Sequence, residues 1–140
     1  MDITVTYDCA RVNWQTIPEI LKSVGMAYHA PEKHKQAFEG SYANVFLYNA
    51  DQLVGFGRAI SDGACQAALY DCAVAVEFQG KGLGKMIIES LLAKLSDCNV
   101  ILYASPGKEG FYEKQGFRKM KTGMAKFIHC QSMIDRGFTE

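Results

Sequence analysis

The strongest constraint on the fold of this chain is an abrupt change of pattern near its middle. Residues 67–78 are nearly continuously apolar, which indicates a strand buried within a sheet. Three glycines follow at alternate positions, and apolar residues then recur with a helical period, as Leu83, Ile87 and Leu91 show. A strand, a glycine-rich turn and a helix in direct succession predict a sheet with a helix packed against it.

The remaining segments also read as strands and helices. Residues 3–8 alternate apolar and polar side chains, as a half-buried strand does, and residues 44–48 and 53–60 flank a turn-forming cluster, as a hairpin does. The order β-α-α-β-β-β-α-β-α-β-β predicts a mixed α+β fold with helices on both faces of the sheet. In chain order, the predicted elements are a strand at 3–8, helices from Thr16 to Gly25 and at 31–42, strands at 44–48, 53–60 and 67–78, a helix from Leu83, a strand at 99–104, a helix at 109–114 and a strand pair within 117–128.

Length and charge argue against several classes of protein. A chain of 140 residues has the size of one compact unit, so we expect residues 1–140 to form a single domain. The 15 basic residues balance 15 acidic ones, which argues against binding to nucleic acid. No apolar run approaches the roughly 20 residues that span a bilayer, and no leader pattern is present, so we expect a cytoplasmic protein without a membrane partner.

The cysteines and histidines do not form a recognisable metal site. The 5 cysteines include no C-x-x-C pair, so we expect reduced, mostly buried thiols. His29 and His34 are five positions apart, which differs from the i, i+4 spacing of helical metal ligands. We therefore predict no metal, and histidines that are either solvated or on the substrate side.

The glycine turn has the features of a phosphate-binding loop. The first N–H groups of a helix lack partners and attract anions, and Gly80, Gly82 and Gly84 carry no side chains that would block approach. Lys81 and Lys85 add positive charge, which favours a pyrophosphate ligand. Neither the P-loop spacing nor the G-x-G-x-x-G dinucleotide fingerprint is present. The alternative is that these glycines serve only a tight turn and close helix packing.

Two motifs in this order resemble the GNAT N-acetyltransferases. Gln79-x-x-Gly82-x-Gly84 matches the [QR]-x-x-G-x-[GA] acetyl-CoA motif of that family, and residues 111–117 resemble its later F-Y-x-x-x-G-F segment. Ala73-Val74 stands where the family has an A-V pair. The resemblance implies a mostly antiparallel mixed sheet flanked by helices, and acetyl-CoA as the cosubstrate.

A narrower resemblance points to one group within this family. The stretch R-A-I-S-D-G from Arg58, the Tyr70-Asp71 pair and the segment QGKGLGK are similar to the arylalkylamine or serotonin-type acetyltransferases of plant chloroplasts and their bacterial relatives. The loop at residues 105–108 departs from the pattern, because many family members have a cofactor-contacting Asn there.

The resemblance also implies which residues bind the cofactor. The glycine turn would hold the pyrophosphate through backbone N–H groups, and the preceding strand would offer its backbone to the pantetheine arm. A free N–H near Val74 would hold the oxyanion, although Val74 is equally well a core valine. The cofactor-binding set is Cys72, Ala73, Val74, Gln79, Gly80, Lys81, Gly82, Leu83, Gly84 and Lys85.

Two residues are candidates for moving protons. An alkyl ammonium has a pKa near ~10.4 and must lose a proton before it attacks, and Asp71 is either that base or a structural or substrate-anchoring residue. Tyr112 is the candidate acid for the departing thiolate, with packing as its alternative role and Tyr103 as second choice. Cys72 also suggests an acetyl-cysteine intermediate, but no histidine adjacent in sequence would activate it.

Together these features predict an N-acetyltransferase that moves an acetyl group to a primary amine, favouring a small molecule, by direct attack in a ternary complex. The alternatives are a non-catalytic acyl-CoA sensor, acetylation of a protein or peptide amine, and an unrelated phosphate-binding protein. Analogy with the family allows a homodimer. The residues expected near the acceptor are Tyr28, His29, His34, Tyr42 and His129.

Overall fold

The computed structural model describes all residues, 1–140. The chain divides into two compact units, Met1–Leu102 and Tyr103–Glu140. The first unit contains the sheet and three helices, and the second contains two short helices. No helix is long and apolar enough to cross a membrane.

The elements of the first unit follow the predicted order. They are β1 (Ile3–Thr6), α1 (Thr16–Ser23), α2 (Pro31–Glu39), β2 (Ala43–Asn49), β3 (Gln52–Ser61), β4 (Gln66–Val74), a 3₁₀ turn (Val76–Phe78), α3 (Leu83–Leu92) and β5 (Asn99–Ile101). The second unit contributes α4 (Glu109–Lys114) and α5 (Cys130–Asp135).

The sheet has the order β1-β2-β3-β4-β5. The first three pairings are antiparallel, and β4 pairs with β5 in parallel. This arrangement confirms a mixed, mostly antiparallel sheet. The parallel pairing is short, because only Gln66, Ala67 and Ala68 of β4 are partnered by β5. Within the first unit, no strand pairs with that edge of β4 over residues 69–74.

One face of the sheet is covered by α1 and α2. Ile17 and Leu21 of α1 and Phe38 of α2 are fully buried with Phe46 and Phe56 of the sheet. The rings of Phe38 and Phe46 lie 5.4 Å apart. Burying each such side chain stabilises the fold by about 1.5–3 kcal/mol, so this aromatic cluster anchors both helices.

The opposite face is covered by α3, whose Ile87 and Leu91 pack on β3. A Cβ at Gly57 would lie 2.8 Å from Cγ2 of Ile87 and 2.9 Å from Sγ of Cys72. Only glycine at position 57 therefore lets α3 approach β3 this closely. The prediction of helices on both faces is confirmed.

Two sequence-based details were wrong. The apolar run at residues 67–78 is a strand only as far as Val74 and then turns into the 3₁₀ segment Val76–Phe78. Residues 117–128 form no strand pair, and the helix α5 follows instead. Met124 is 98% exposed and Ile128 95% exposed, so burial of these apolar side chains does not favour pairing there.

Candidate active site

The centre of the candidate site is a bulge in β4. Phe56 pairs with Ala73 and Arg58 with Tyr70, so three steps along β4 oppose two steps along β3. The extra length includes Asp71, whose φ of 55° lies in the left-handed region. Non-glycine residues are uncommon there, and Asp and Asn are among those that tolerate it best. Such bulges re-aim side chains and are common next to active sites.

The bulge separates two neighbouring side chains. Sγ of Cys72 lies beneath α3, against Gly57. The Asp71 carboxylate instead lies beside Arg58, whose Nε donates to Oδ2 of Asp71 at 2.7 Å. In a regular strand, side chains alternate between the two faces of the sheet, so residue 71 would lie on the face of residue 69 and not on that of Tyr70, the partner of Arg58. The bulge therefore brings Asp71 to the face of Arg58.

The guanidinium of Arg58 is held from several directions. Its Nη1 donates to Oγ of Ser41 at 3.3 Å, and its Cζ lies 5.8 Å from the Phe38 ring and 5.5 Å from the Tyr70 ring. The side chains of Arg58 and Asp71 are only 15% and 22% exposed. A half-buried and hydrogen-bonded pair is less screened than a surface salt bridge, so it fixes the position of the carboxylate.

The free edge of β4 presents backbone groups beside this bulge. The Ala75 N–H donates to the Val54 carbonyl on the β3 side at 2.8 Å. Because successive residues of a strand alternate between its two edges, the N–H and C=O of Val74 point to the opposite edge. Nε2 of Gln79 donates to the Val74 carbonyl there at 3.0 Å. Gln79 therefore joins the glycine turn to the strand edge.

The glycine turn leaves the N-terminus of α3 open. Gly80 and Gly82 have φ values of 76° and 83°, and Gly82 is the N-cap residue, with no side-chain cap. The first helical bond runs from the Met86 N–H to the Gly82 carbonyl at 3.1 Å. The N–H groups of the first turn thus have no partner within the helix, and their dipoles attract anions. The first turn consists of Leu83, Gly84 and Lys85.

Two lysines stand near this turn. Nζ of Lys81 lies 5.9 Å from the centre of the Phe78 ring. Nζ of Lys85 lies 3.7 Å from Oε1 of Glu89, and both side chains are largely exposed. An exposed pair of this kind is weak, so Lys85 is available to a phosphate.

His34 is a buried residue whose environment the sequence did not reveal. It is 3% exposed, and its Nε2 accepts the His29 N–H at 2.9 Å. Burial lowers the pKa of His34, while the nearby charge of Asp71 opposes that shift. The solvated alternative was therefore wrong for His34, and its place on the substrate side stays a prediction. The spacing of four residues between His34 and Phe38, both buried on α2, is the signal that could have indicated this.

Tyr112 belongs to the second unit, on α4. Its ring makes edge contacts with the rings of Phe111 and Phe117, at 5.0 Å and 6.0 Å. The turn that brings Phe117 back uses Gly116 at φ 94°, and the Phe117 N–H donates to the Tyr112 carbonyl at 3.1 Å. The F-Y-x-x-x-G-F segment is thus a helix with a glycine stop. Tyr103, the second candidate, packs against Phe127 and Phe138.

The comparison with known protein families identifies the family of this chain. Residues 15–133 match the family model described as the acetyltransferase (GNAT) domain. The chain belongs to the GNAT acetyltransferase family.

Similar proteins agree with this GNAT assignment. An uncharacterized N-acetyltransferase of Prochlorococcus marinus is 33% identical over 108 residues, which cover 72% of this chain and 60% of that protein. The chloroplastic serotonin N-acetyltransferase 2 of Oryza sativa is 36% identical over 107 residues, covering 71% of this chain and 53% of that protein. The chain therefore matches only 53–60% of the length of these two relatives.

A solved structure supports the same fold. A probable acetyltransferase of unknown function from meticillin-resistant Staphylococcus aureus has a TM-score of 0.81 and 26% sequence identity. The match covers 91% of this chain and 98% of that one. The GNAT fold of this chain is thus confirmed by structure as well as by sequence.

The thiols of this GNAT chain are free, as expected. None of the five cysteines is in a disulfide, but Cys65 and Cys130 are exposed and the others are partly exposed, so the expectation of mostly buried thiols was wrong. Cys72 is partly exposed as a residue, but its Sγ is buried beneath α3, and this burial raises the pKa of the thiol to about 12, with the charge of Asp71 adding to the shift. Cys72 is therefore protonated at neutral pH and is a poor nucleophile. No group of three or more His, Cys, Asp or Glu residues is placed to hold a metal ion.

Proposed function

We propose that this GNAT acetyltransferase moves an acetyl group from acetyl-CoA to a primary amine by direct attack in a ternary complex. The observation that carries the proposal is the open N-terminus of α3 at Gly82, which Gln79 links to the free edge of β4. The open helix N-terminus suits a pyrophosphate, and the free strand edge suits the amide-containing pantetheine arm.

The chain's own residues would bind the cosubstrate as follows. The first-turn N–H groups of α3, with Lys81 and Lys85, bind the pyrophosphate. The strand segment Cys72, Ala73 and Val74 lies along the pantetheine arm, and the backbone groups of Val74, which point to the free edge, bond to the arm as an added strand would. The Val74 N–H points to the free edge and donates to the thioester oxygen as negative charge develops on it.

Two side chains would manage the protons. Asp71 accepts the proton of the incoming ammonium through a water molecule, because a neutral amine is required for attack. Arg58 keeps that carboxylate in place beside the bulge. Tyr112 donates a proton to the sulfur as the carbon–sulfur bond breaks, so that CoA leaves as a neutral thiol, and solvent returns a proton to the phenolate.

Direct transfer is favoured over a covalent acetyl-enzyme route. The candidate nucleophile Cys72 lies beneath α3, and burial raises the pKa of its thiol to about 12. At neutral pH almost none of it is thiolate, the form that attacks a thioester.

The experiment that tests the function is a turnover assay with acetyl-CoA and a panel of arylalkylamines, polyamines, aminoglycosides and peptide N-termini. The expected result is release of free CoA that depends on a small amine. CoA binding without turnover on any amine would favour the acyl-CoA sensor. Turnover confined to peptides would favour the protein-amine alternative.

A matched pair of variants assigns the acid. In single-turnover measurements, Tyr112→Phe should slow the chemical step by roughly 10²- to 10⁴-fold with little change in acetyl-CoA affinity. Tyr103→Phe serves as the control and should leave the rate near wild type. If the two variants exchange these effects, Tyr103 is the acid and Tyr112 is a packing residue.

The acceptor that we propose is a small molecule, and the similarity to a rice serotonin N-acetyltransferase supports that choice. The expected cytoplasmic location, the homodimer and the single domain over residues 1–140 remain predictions.

A further inference from the structure

A cleft of about 380 Å³ lies between α2 and β3, on the sheet face that carries the aromatic cluster. The α2 positions that line it follow the spacing i, i+3, i+4, i+7, so they form one face of the helix. The two β3 positions are two residues apart and share one strand face. A cleft of this volume is large enough for a small molecule. Its lining residues are Lys33, Gln36, Ala37, Gly40, Arg58 and Ile60.

The cleft borders the bulge through Arg58 and does not include the glycine turn. Arg58 is part of its lining and is bonded directly to Asp71. No residue of the glycine turn, 79–85, lines it. If the proposed function is correct, the cleft therefore belongs to the acceptor and not to acetyl-CoA, and the inference rests on that function.

The charges of the cleft have one sign. The charged residues of its lining are Lys33 and Arg58, and no Asp or Glu lines the cleft. The Asp71 carboxylate bonded to Arg58 offsets the charge of that guanidinium, so Lys33 is the unpaired cation of the lining. Lys33 is exposed and forms no ion pair. The bonds to Asp71 and Ser41 use only two of the five N–H groups of Arg58. Ala37 and the half-exposed Ile60 add apolar surface between the polar groups.

We propose that the acceptor is a primary amine that also carries an anionic group, either a carboxylate or a phosphate. Its amine approaches the Asp71 carboxylate, and its anion binds Lys33 with support from Arg58 and Gln36. Its hydrocarbon part contacts Ala37 and Ile60. A polyamine would place a second cation against Lys33 and is disfavoured, because like charges in a cleft repel.

Matched pairs of amines test this proposal. Tryptophan against tryptamine differs by a carboxylate, and O-phosphoethanolamine against ethanolamine differs by a phosphate. The anionic member of at least one pair should have the higher kcat/KM. An effect in the first pair indicates a carboxylate, and an effect in the second indicates a phosphate. Lys33→Glu should lower kcat/KM for that member about tenfold, mainly through KM, because one ion pair becomes a repulsion.

The control is Lys35→Glu, which makes the same change of charge on the same helix at an exposed residue outside the cleft. It should leave the preference for the anionic amine unchanged, and neither variant should alter the KM for acetyl-CoA. Equal rates for the members of both pairs, or equal effects of the two charge reversals, would overturn the proposal.

A binding measurement separates this inference from the proposed function. The same four amines are titrated by calorimetry into the protein saturated with CoA. Tighter binding of an anionic member, lost in Lys33→Glu and kept in Lys35→Glu, supports the cleft even if no amine is acetylated, and only the proposed function then fails. Equal binding within both pairs, or no binding at all, overturns the anionic acceptor.

Discussion

Asp71 is held by its backbone conformation and by charge at the same time. Its φ of 55° turns the carboxylate towards Arg58, and the 2.7 Å bond from Nε keeps it there. A residue with this backbone conformation is well positioned, but the conformation costs free energy. Such strained residues persist mainly where the surrounding structure fixes them. This combination is consistent with either proton transfer or anchoring of an amine, and the two roles differ in their dependence on pH.

Asp71→Asn separates these two roles. Asn tolerates the left-handed region, so the bulge should persist. If Asp71 is the base, kcat/KM should fall by about 10²-fold or more at neutral pH and by less at alkaline pH, where more acceptor is already neutral. The pH–rate profile of the variant is the measurement. A loss that is equal at every pH would indicate anchoring.

The control for this prediction is Asp51→Asn. Asp51 also lies near an arginine, with 3.7 Å between its Oδ1 and Nη2 of Arg11, but it is fully exposed and far along the chain from the bulge. Its substitution should leave the profile unchanged.

His34 should make the stability of the protein depend on pH. Burial lowers its pKa in the folded state below the ordinary value of 6.5. As the pH falls, the unfolded chain therefore binds a proton before the folded chain does. The stability that neutral His34 contributes to the folded state is fully present above pH 6.5. It is lost as the pH falls through that value towards the lower pKa of His34 in the folded state.

Urea unfolding between about pH 8 and about pH 5 measures this effect. His34→Gln should flatten the fall in the free energy of unfolding below pH 6.5, whatever its stability at high pH. His129→Gln, at an exposed histidine, should keep the wild-type slope. If both variants keep that slope, His34 does not cause the acid sensitivity.

At the scale of elements, local patterns predicted structure where neighbouring residues decide it. The start of α3 at Leu83 follows from a glycine turn and a helical apolar stripe, and the bounds of α4 agree with the prediction as well. The hairpin of β2 and β3 extends only one residue beyond the predicted bounds at each end. In each case the deciding residues are adjacent in the sequence.

Elements that depend on distant pairing were predicted less well. The bulge at Asp71 follows from the register between β3 and β4, and its partner Arg58 is 13 positions away. Residues 117–128 contain apolar side chains, but a strand also requires a neighbour with a matching ladder, which no local pattern specifies. His34 was assigned by its residue type, whereas its burial depends on how α2 packs on the sheet.

The glycine turn yields a prediction about α3. Gly82 has a φ of 83° and nothing within 4 Å of an added Cβ, so Gly82→Leu meets backbone strain of about 1–2 kcal/mol but no clash. The leucine would project into the space in front of the helix N-terminus. Acetyl-CoA should then no longer raise the melting temperature.

Gly25→Leu is the matched control for that variant. Gly25 follows α1, has a φ of 78° and likewise has nothing within 4 Å of an added Cβ. It should lower the melting temperature by a similar amount and keep the full response to acetyl-CoA. If the Gly82 variant also kept the full response, the phosphates would bind elsewhere.

The whole molecule raises the question of how its two compact units unfold. The second unit, Tyr103–Glu140, has only two helices, each of 6 residues. Isolated helices shorter than about 12 residues are marginal in water, so we do not expect this unit to be stable alone. A single unfolding transition for the chain would support the proposed single domain.

Calorimetric melting with increasing acetyl-CoA tests the phosphate site at α3 and the single-domain prediction together. A ligand that binds only the folded state adds about 1.4 kcal/mol of stability for each tenfold rise in concentration above Kd. For a chain of 140 residues this corresponds to a rise of about 4–6 °C per tenfold, applied to one cooperative transition. CoA without the acetyl group should act almost equally, because the proposed contacts are mainly with the pyrophosphate and the pantetheine arm.

Two transitions, of which acetyl-CoA moves only one, would show that the chain unfolds as two domains and that the cosubstrate stabilises one of them. No movement of any transition would contradict the phosphate site at α3.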